Sequence, residues 1–174
     1  MNISVLGRTL SMVNNQYRRK PKWLKGDVLK KNLSIAEQSF ALINHFPQFK
    51  EEFTEGKVTW IGTLQPQLIS RVYTVKIEYE KNGFPKVWVI DPSLERYNNQ
   101  PIPHMYNQER LCLYYPPAKE WKRSKWIYQT IIPWICLWLR HYEIWLITGR
   151  WMGGGIGHHS PSESVEEEKK HYEE

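Results

Sequence analysis

Two cysteines occupy very different stretches of this 174-residue chain, and only one stands where a thiol could do chemistry. Cys112 falls in His-Met-Tyr-Asn-Gln-Glu-Arg-Leu-Cys-Leu-Tyr-Tyr-Pro-Pro, residues 104–117, a run of polar and aromatic side chains. Arg110 and His104 lie close by. Cationic neighbours and partial exposure favour the thiolate, the reactive form of a thiol that otherwise titrates near ~8.5. Cys136 falls in Trp-Ile-Cys-Leu-Trp, an apolar setting in which cysteine behaves as a small, inert hydrophobe. The sequence therefore points to Cys112 as a nucleophile on a loop.

Three chemistries use such a cysteine. A cysteine protease needs a histidine base oriented by Asn or Asp. His104 and Asn107 are the local pair, although both lie close to Cys112 in sequence and would need a folded loop to meet it. A phosphatase needs a glycine-rich, arginine-closed loop after the cysteine, and Leu113-Tyr-Tyr-Pro-Pro supplies none. A thioester carrier needs an accessible thiolate, an oxyanion donor and a surface for an acylated protein. That requirement is met with least strain.

No cofactor or metal is called for. His158-His159 has no cysteine or carboxylate at ligand spacing. The glycines at 153–155 and 157 lack the preceding strand and following helix of a phosphate loop.

The scaffold must fit in one domain. Nine tryptophans and ten tyrosines exceed what a core of this size requires, so some rings should line a contact surface. Two cysteines make no disulfide framework, and a reducing cytosol is the expected compartment. The longest apolar run, 131–139, is under half of the ~20 residues a membrane span needs. A soluble, cytoplasmic protein is expected. Formal charge is +6, unevenly spread. A basic arm over 1–33, a domain over 34–159 and a charged, disordered tail over 160–174 are expected, the like-charge blocks reading as solvated ends.

Within the domain, Ser34 and Glu37 have capping-box spacing, and Ile35, Phe40, Ile43 and Phe46 mark a helix over 34–46 that Pro47 stops. Residues 57–64 and 70–79 read as strands, Asn82-Gly83 as a tight hairpin turn, and 86–90 as the returning strand. A proline-studded loop over 91–123 follows, with 110–114 as a short extended piece. Thr130 is a plausible cap for a last helix, with Pro133 in its first turn. Trp134, Trp138, Tyr142 and Trp145 then share one face, expected to be core, and the helix ends before Gly149. The fold class is α+β: helix, antiparallel meander, cysteine loop, long helix.

That order, with a histidine turn before Leu-Cys-Leu and then Trp121, resembles the ubiquitin-conjugating-enzyme fold. Trp60-Ile-Gly-Thr-Leu, His104-Met-Tyr, Leu111-Cys-Leu-Tyr-Tyr-Pro, Ile131-Ile-Pro-Trp, Trp138-Leu, Tyr142-Glu-Ile-Trp and Thr148-Gly-Arg-Trp are similar to its bacterial branch in short type II CBASS anti-phage operons. The resemblance implies a partner, the operon's cGAS/DncV-like nucleotidyltransferase. Cys112 would attack that enzyme's C-terminal carbonyl, forming a thioester-type adduct that primes cyclic-nucleotide synthesis. It also implies operons without separate activating and deconjugating enzymes.

The family's His-Pro-Asn triplet is absent, since Met105 and Tyr106 follow His104. By resemblance the oxyanion role falls to Asn107, with the Tyr114 hydroxyl or backbone amides near Cys112 as substitutes. His104 is assigned to holding the turn in preference to acting as a base, and Trp121 to packing the loop against the last helix. Two other readings compete: a non-catalytic module of the same fold that binds the nucleotidyltransferase, and, ranked last, nucleic-acid binding through the arm and Trp23.

Overall fold

The computed structural model describes residues 32–154. The expected tail, the His158-His159 pair and all but the last two residues of the expected arm lie outside the described residues.

Helix α1 (Ile35–His45) begins where the capping box places it. The Glu37 amide donates to Ser34 Oγ at 3.2 Å, and the Ser34 amide donates to the Glu37 carboxylate at 2.8 Å. Its buried face differs from the apolar pattern, because Phe40 is 75% exposed while Gln38, Ser39, Ala41 and Leu42 face inward. The two buried polar residues are tolerated because both are satisfied. Ser39 Oγ accepts from Trp60 Nε1 at 2.8 Å and donates to the Glu51 carboxylate. The Gln38 side chain reaches the start of the last helix.

Four antiparallel strands follow as a meander: β1 (Lys50–Thr54), β2 (Lys57–Leu64), β3 (Tyr73–Glu80) and β4 (Lys86–Asp91). Sequence reading missed β1, since Lys-Glu-Glu-Phe-Thr is charged, fully exposed and without alternation. It is an edge strand held by its pairing to β2. Strand β3 starts at Tyr73, later than expected, because the Glu143 carboxylate takes the Arg71 amide at 3.1 Å and the Ser70 hydroxyl at 2.6 Å. The β3–β4 turn also differs. Neither Asn82 nor Gly83 has positive φ, and a longer connection, 81–85, closes through the Gly83 amide to the Glu80 carbonyl at 3.1 Å. Phe84 within it packs on Trp121, which a two-residue turn would not permit.

The sheet buries one face by strict alternation: Val58, Trp60, Gly62 and Leu64 from β2 pair across to Tyr79, Ile77, Val75 and Tyr73 of β3. The glycine is required there, because a Cβ at position 62 would sit 2.4 Å from the Phe49 ring. Gly62→Ala must displace a buried aromatic and should cost about 1–3 kcal/mol, read as a lowered midpoint in urea denaturation. An unchanged midpoint would show that Phe49 can move freely.

Helix α2 (Ile127–Thr148) starts before Thr130, so Pro133 lies in its interior rather than its first turn. Trp126 is the N-cap residue and offers no side-chain cap. Gln38 supplies one from α1, its Oε1 accepting from the Ile127 amide at 2.9 Å while its Nε2 donates to the Lys125 carbonyl at 2.9 Å. The helix ends at Gly149, whose φ of 69° is the left-handed cap that favours glycine. Trp138, Tyr142 and Trp145 are buried along one face, as the spacing implies, and Trp134 is half-buried beside them. One apolar cluster joins them to the inner sheet face, Leu42 of α1 and Leu111. The observed fold is α+β: an N-terminal helix, an antiparallel sheet and a long C-terminal helix.

Candidate active site: the Cys112 hairpin

Most of the proline-studded segment lacks regular structure, but its centre is a miniature hairpin of β5 (Met105–Tyr106) and β6 (Arg110–Leu111). Asn107 and Gln108 form its turn with φ of 50° and 56°, and the Glu109 amide closes onto the Tyr106 carbonyl at 3.0 Å. Positive φ at both central residues is the hairpin-favouring geometry, and asparagine tolerates it well. Gln108 then folds its side chain back over Ile102, donating to its carbonyl at 3.0 Å and accepting from its amide at 2.7 Å. The turn is thereby pinned to the segment before it.

At the open end, the Cys112 amide donates to the His104 carbonyl at 2.9 Å, extending the ladder one pair beyond Met105↔Leu111. The same carbonyl accepts from Trp138 Nε1 at 2.9 Å, which ties the hairpin to α2. His104 and Cys112 are therefore cross-strand neighbours despite their closeness in sequence.

Strand alternation sorts the side chains. Met105 and Leu111 pack toward the core, and Leu111 is buried. Tyr106, Arg110 and Cys112 share the opposite face. There the Arg110 guanidinium carbon lies 4.3 Å above the Tyr106 ring, and the Tyr106 and Cys112 side chains interact. Burial first, and the sulfur second, hold the Tyr106 phenol well above its ordinary range, so it remains protonated through neutral pH. Cys112 Sγ also donates to the Tyr114 carbonyl at 3.8 Å.

Each sequence-derived residue has a definite position. His104 takes φ of 54° and lays its ring 5.1 Å from Trp151. Asn107 is exposed at the hairpin tip, the end away from the thiol. Tyr114 directs its carbonyl at Cys112 while its ring sits 5.5 Å from Trp134. Trp121 is buried in the same apolar cluster as Ile127 and Ile131 of α2, and its ring also meets Tyr79 and Phe84 on the sheet side. The two thiols also contrast less than expected, since both are half-buried. They differ in surroundings, and burial pushes the Cys136 thiol up. Sequence reading missed Tyr106. Its signal was the asparagine-led turn, which sets the register that aims Tyr106 toward Cys112.

Among the described residues, no group of three or more His, Cys, Asp and Glu side chains could hold a metal ion. No described helix is long and apolar enough to cross a membrane. No curated protein matches the chain. The family model described as type II CBASS E2 protein matches residues 38–159, from within α1, through the sheet and the whole Cys112 hairpin, to beyond α2. That match spans well over half of the sequence and every element just described. The chain belongs to the E2 family of type II CBASS anti-phage systems.

Proposed function

We propose that the protein is a cysteine-dependent, ubiquitin-conjugating-like transferase acting in the cytoplasm. Cys112 forms a thioester-type adduct with the C-terminus of a cGAS/DncV-like nucleotidyltransferase and primes its cyclic-nucleotide synthesis. The observation that carries this reading is the placement of Cys112 at the open end of a pinned hairpin, with the Tyr106 side chain on the same face as its sulfur. Family membership gives the anti-phage setting and points to the nucleotidyltransferase as partner.

The chemistry is acyl transfer. Cys112 loses its proton to water, and the thiolate attacks the terminal acyl carbon. A sulfur–carbon bond forms, and the tetrahedral oxyanion collapses with departure of the leaving group. A free carboxylate has none of sufficient quality, so the acyl group must arrive activated, as in a mixed anhydride with phosphate. His104 holds the loop, through a carbonyl locked by Cys112 and Trp138. The Tyr114 hydroxyl and the backbone amides near Cys112 are the proposed oxyanion donors, while Asn107, at the tip away from the thiol, serves by making the turn.

Co-expression of the two proteins tests the reading. A species with the summed mass should survive denaturation, disappear in neutral hydroxylamine, and map to Cys112 joined to the partner's last residue. A second reading, the non-catalytic binding module, is favoured by one observation: Leu68 and Ile69 are 97% and 94% exposed in the β2–β3 connection, and Ile147 of α2 is 80% exposed. A stable complex with no covalent species would establish that module instead.

A further inference from the structure

We propose that the Tyr106 hydroxyl is a catalytic hydrogen-bond donor to the Cys112 sulfur, held in place by Arg110. The inference deepens the conjugation reading and rests on Cys112 being its nucleophile.

The hairpin register carries the argument. Tyr106 pairs directly with Arg110, and Cys112 lies two residues beyond Arg110 on the same face, diagonal to Tyr106. Aromatic side chains reach diagonal neighbours across such a pair. The ring is then restrained from above by the guanidinium at 4.3 Å. Its backbone is restrained by the closed turn and by the Gln108 clamp on Ile102. The sulfur is restrained from the other side, because the Cys112 amide and Trp138 converge on one carbonyl. Donor and sulfur are thus each fixed by contacts that do not involve the other, which is what preorganisation of a donor requires.

A phenol that stays protonated gives one hydrogen to sulfur and keeps it. That bond is stronger to a thiolate than to a thiol, so it favours ionisation of Cys112. It also serves in the reverse sense. When an amine attacks the acyl carbon of the adduct, the sulfur–carbon bond breaks and sulfur departs with the electron pair. Tyr106 then faces the developing thiolate, while the amine proton goes to solvent. The phenol changes neither its protonation nor its bonding partner through the cycle.

Alkylation of the chain alone by iodoacetamide, in a Cys136→Ala background, reads the thiolate without any partner. Tyr106→Phe should move the midpoint of the rate-against-pH curve up by about one unit, a tenfold loss of thiolate below the midpoint. Rates should converge at alkaline pH, where both proteins are ionised. Replacing Tyr106 by 3-fluorotyrosine, a more acidic phenol and stronger donor, should move the midpoint down. These opposite shifts exclude a merely structural role, and the fluorinated protein keeps the test open if Tyr106→Phe folds poorly. Superimposable curves for the wild type and either substitution overturn the proposal. Failure to find an adduct in co-expression, with the alkylation shifts intact, would instead count against the conjugation reading alone.

Discussion

Cys112→Ala is expected to eliminate the covalent species with the nucleotidyltransferase, to below about 1% of wild type, whereas Cys136→Ala should retain it. Exposure does not separate the two thiols, since both are half-buried. Their surroundings do. Cys136 rides on α2 against the apolar cluster, where burial raises its thiol and leaves little nucleophile at neutral pH. A helical backbone is also committed to its own ladder, so the amides beside Cys136 are not available to an oxyanion. Cys112 sits one residue beyond the two-residue strand β6, at the open end of the hairpin, with the Tyr106 phenol beside its side chain. Denaturing electrophoresis with mass mapping decides the matter. Survival of the adduct in both variants would remove Cys112 as the nucleophile; loss in both would implicate the fold rather than either thiol.

Local chemistry was legible in the sequence wherever neighbouring residues settle the outcome. The Ser34–Glu37 box needs only its own turn, and it forms as the spacing implies. The alternation of β2 and β3 and the Gly149 terminus of α2 are likewise local. Misreadings arose where a distant group decides. Phe40 looked like core because apolar spacing cannot anticipate that Gln38 and Ser39 would be buried and satisfied by Ile127, Lys125, Trp60 and Glu51. Thr130 looked like a cap because the true acceptor belongs to another helix. Strand β1 carries no apolar signal, since an exposed edge has no face to bury.

The site divides in the same way. The contrast between the flanks of Cys112 and Cys136 singled out one thiol. The partner of that thiol was hidden, because a conventional reading looks for histidine or asparagine and passes over tyrosine. Only the turn at Asn107 and Gln108 converts the stretch from a loop into a register. Once the register exists, His104 contributes its carbonyl and Tyr106 contributes its side chain. Asn107 is consumed in making the turn that brings them there.

Gln38→Leu is expected to destabilise the domain by about 3 kcal/mol while preserving side-chain volume. Gln38 is fully buried, and its amide group alone satisfies the first helical amide of α2 and the carbonyl of Lys125. A leucine of similar size leaves no cavity, so the loss isolates the two hydrogen bonds. A buried donor stripped of its partner costs about 1–3 kcal/mol, and a partly buried carbonyl adds to that. The midpoint of thermal unfolding should fall by on the order of 10 °C for a domain of this size. The consequence reaches the site, because α2 supplies Trp138 Nε1 to the His104 carbonyl that also receives the Cys112 amide. Fraying at Ile127 should therefore raise hydrogen exchange at the Cys112 amide before global unfolding, whereas an exposed control such as Phe40→Ser should leave it unchanged. A Gln38→Leu protein within about 0.5 kcal/mol of wild type would mean that water or a repacked backbone replaces both bonds. In that event α2 would not depend on α1 for its start, and the path from Gln38 to the thiol would not exist.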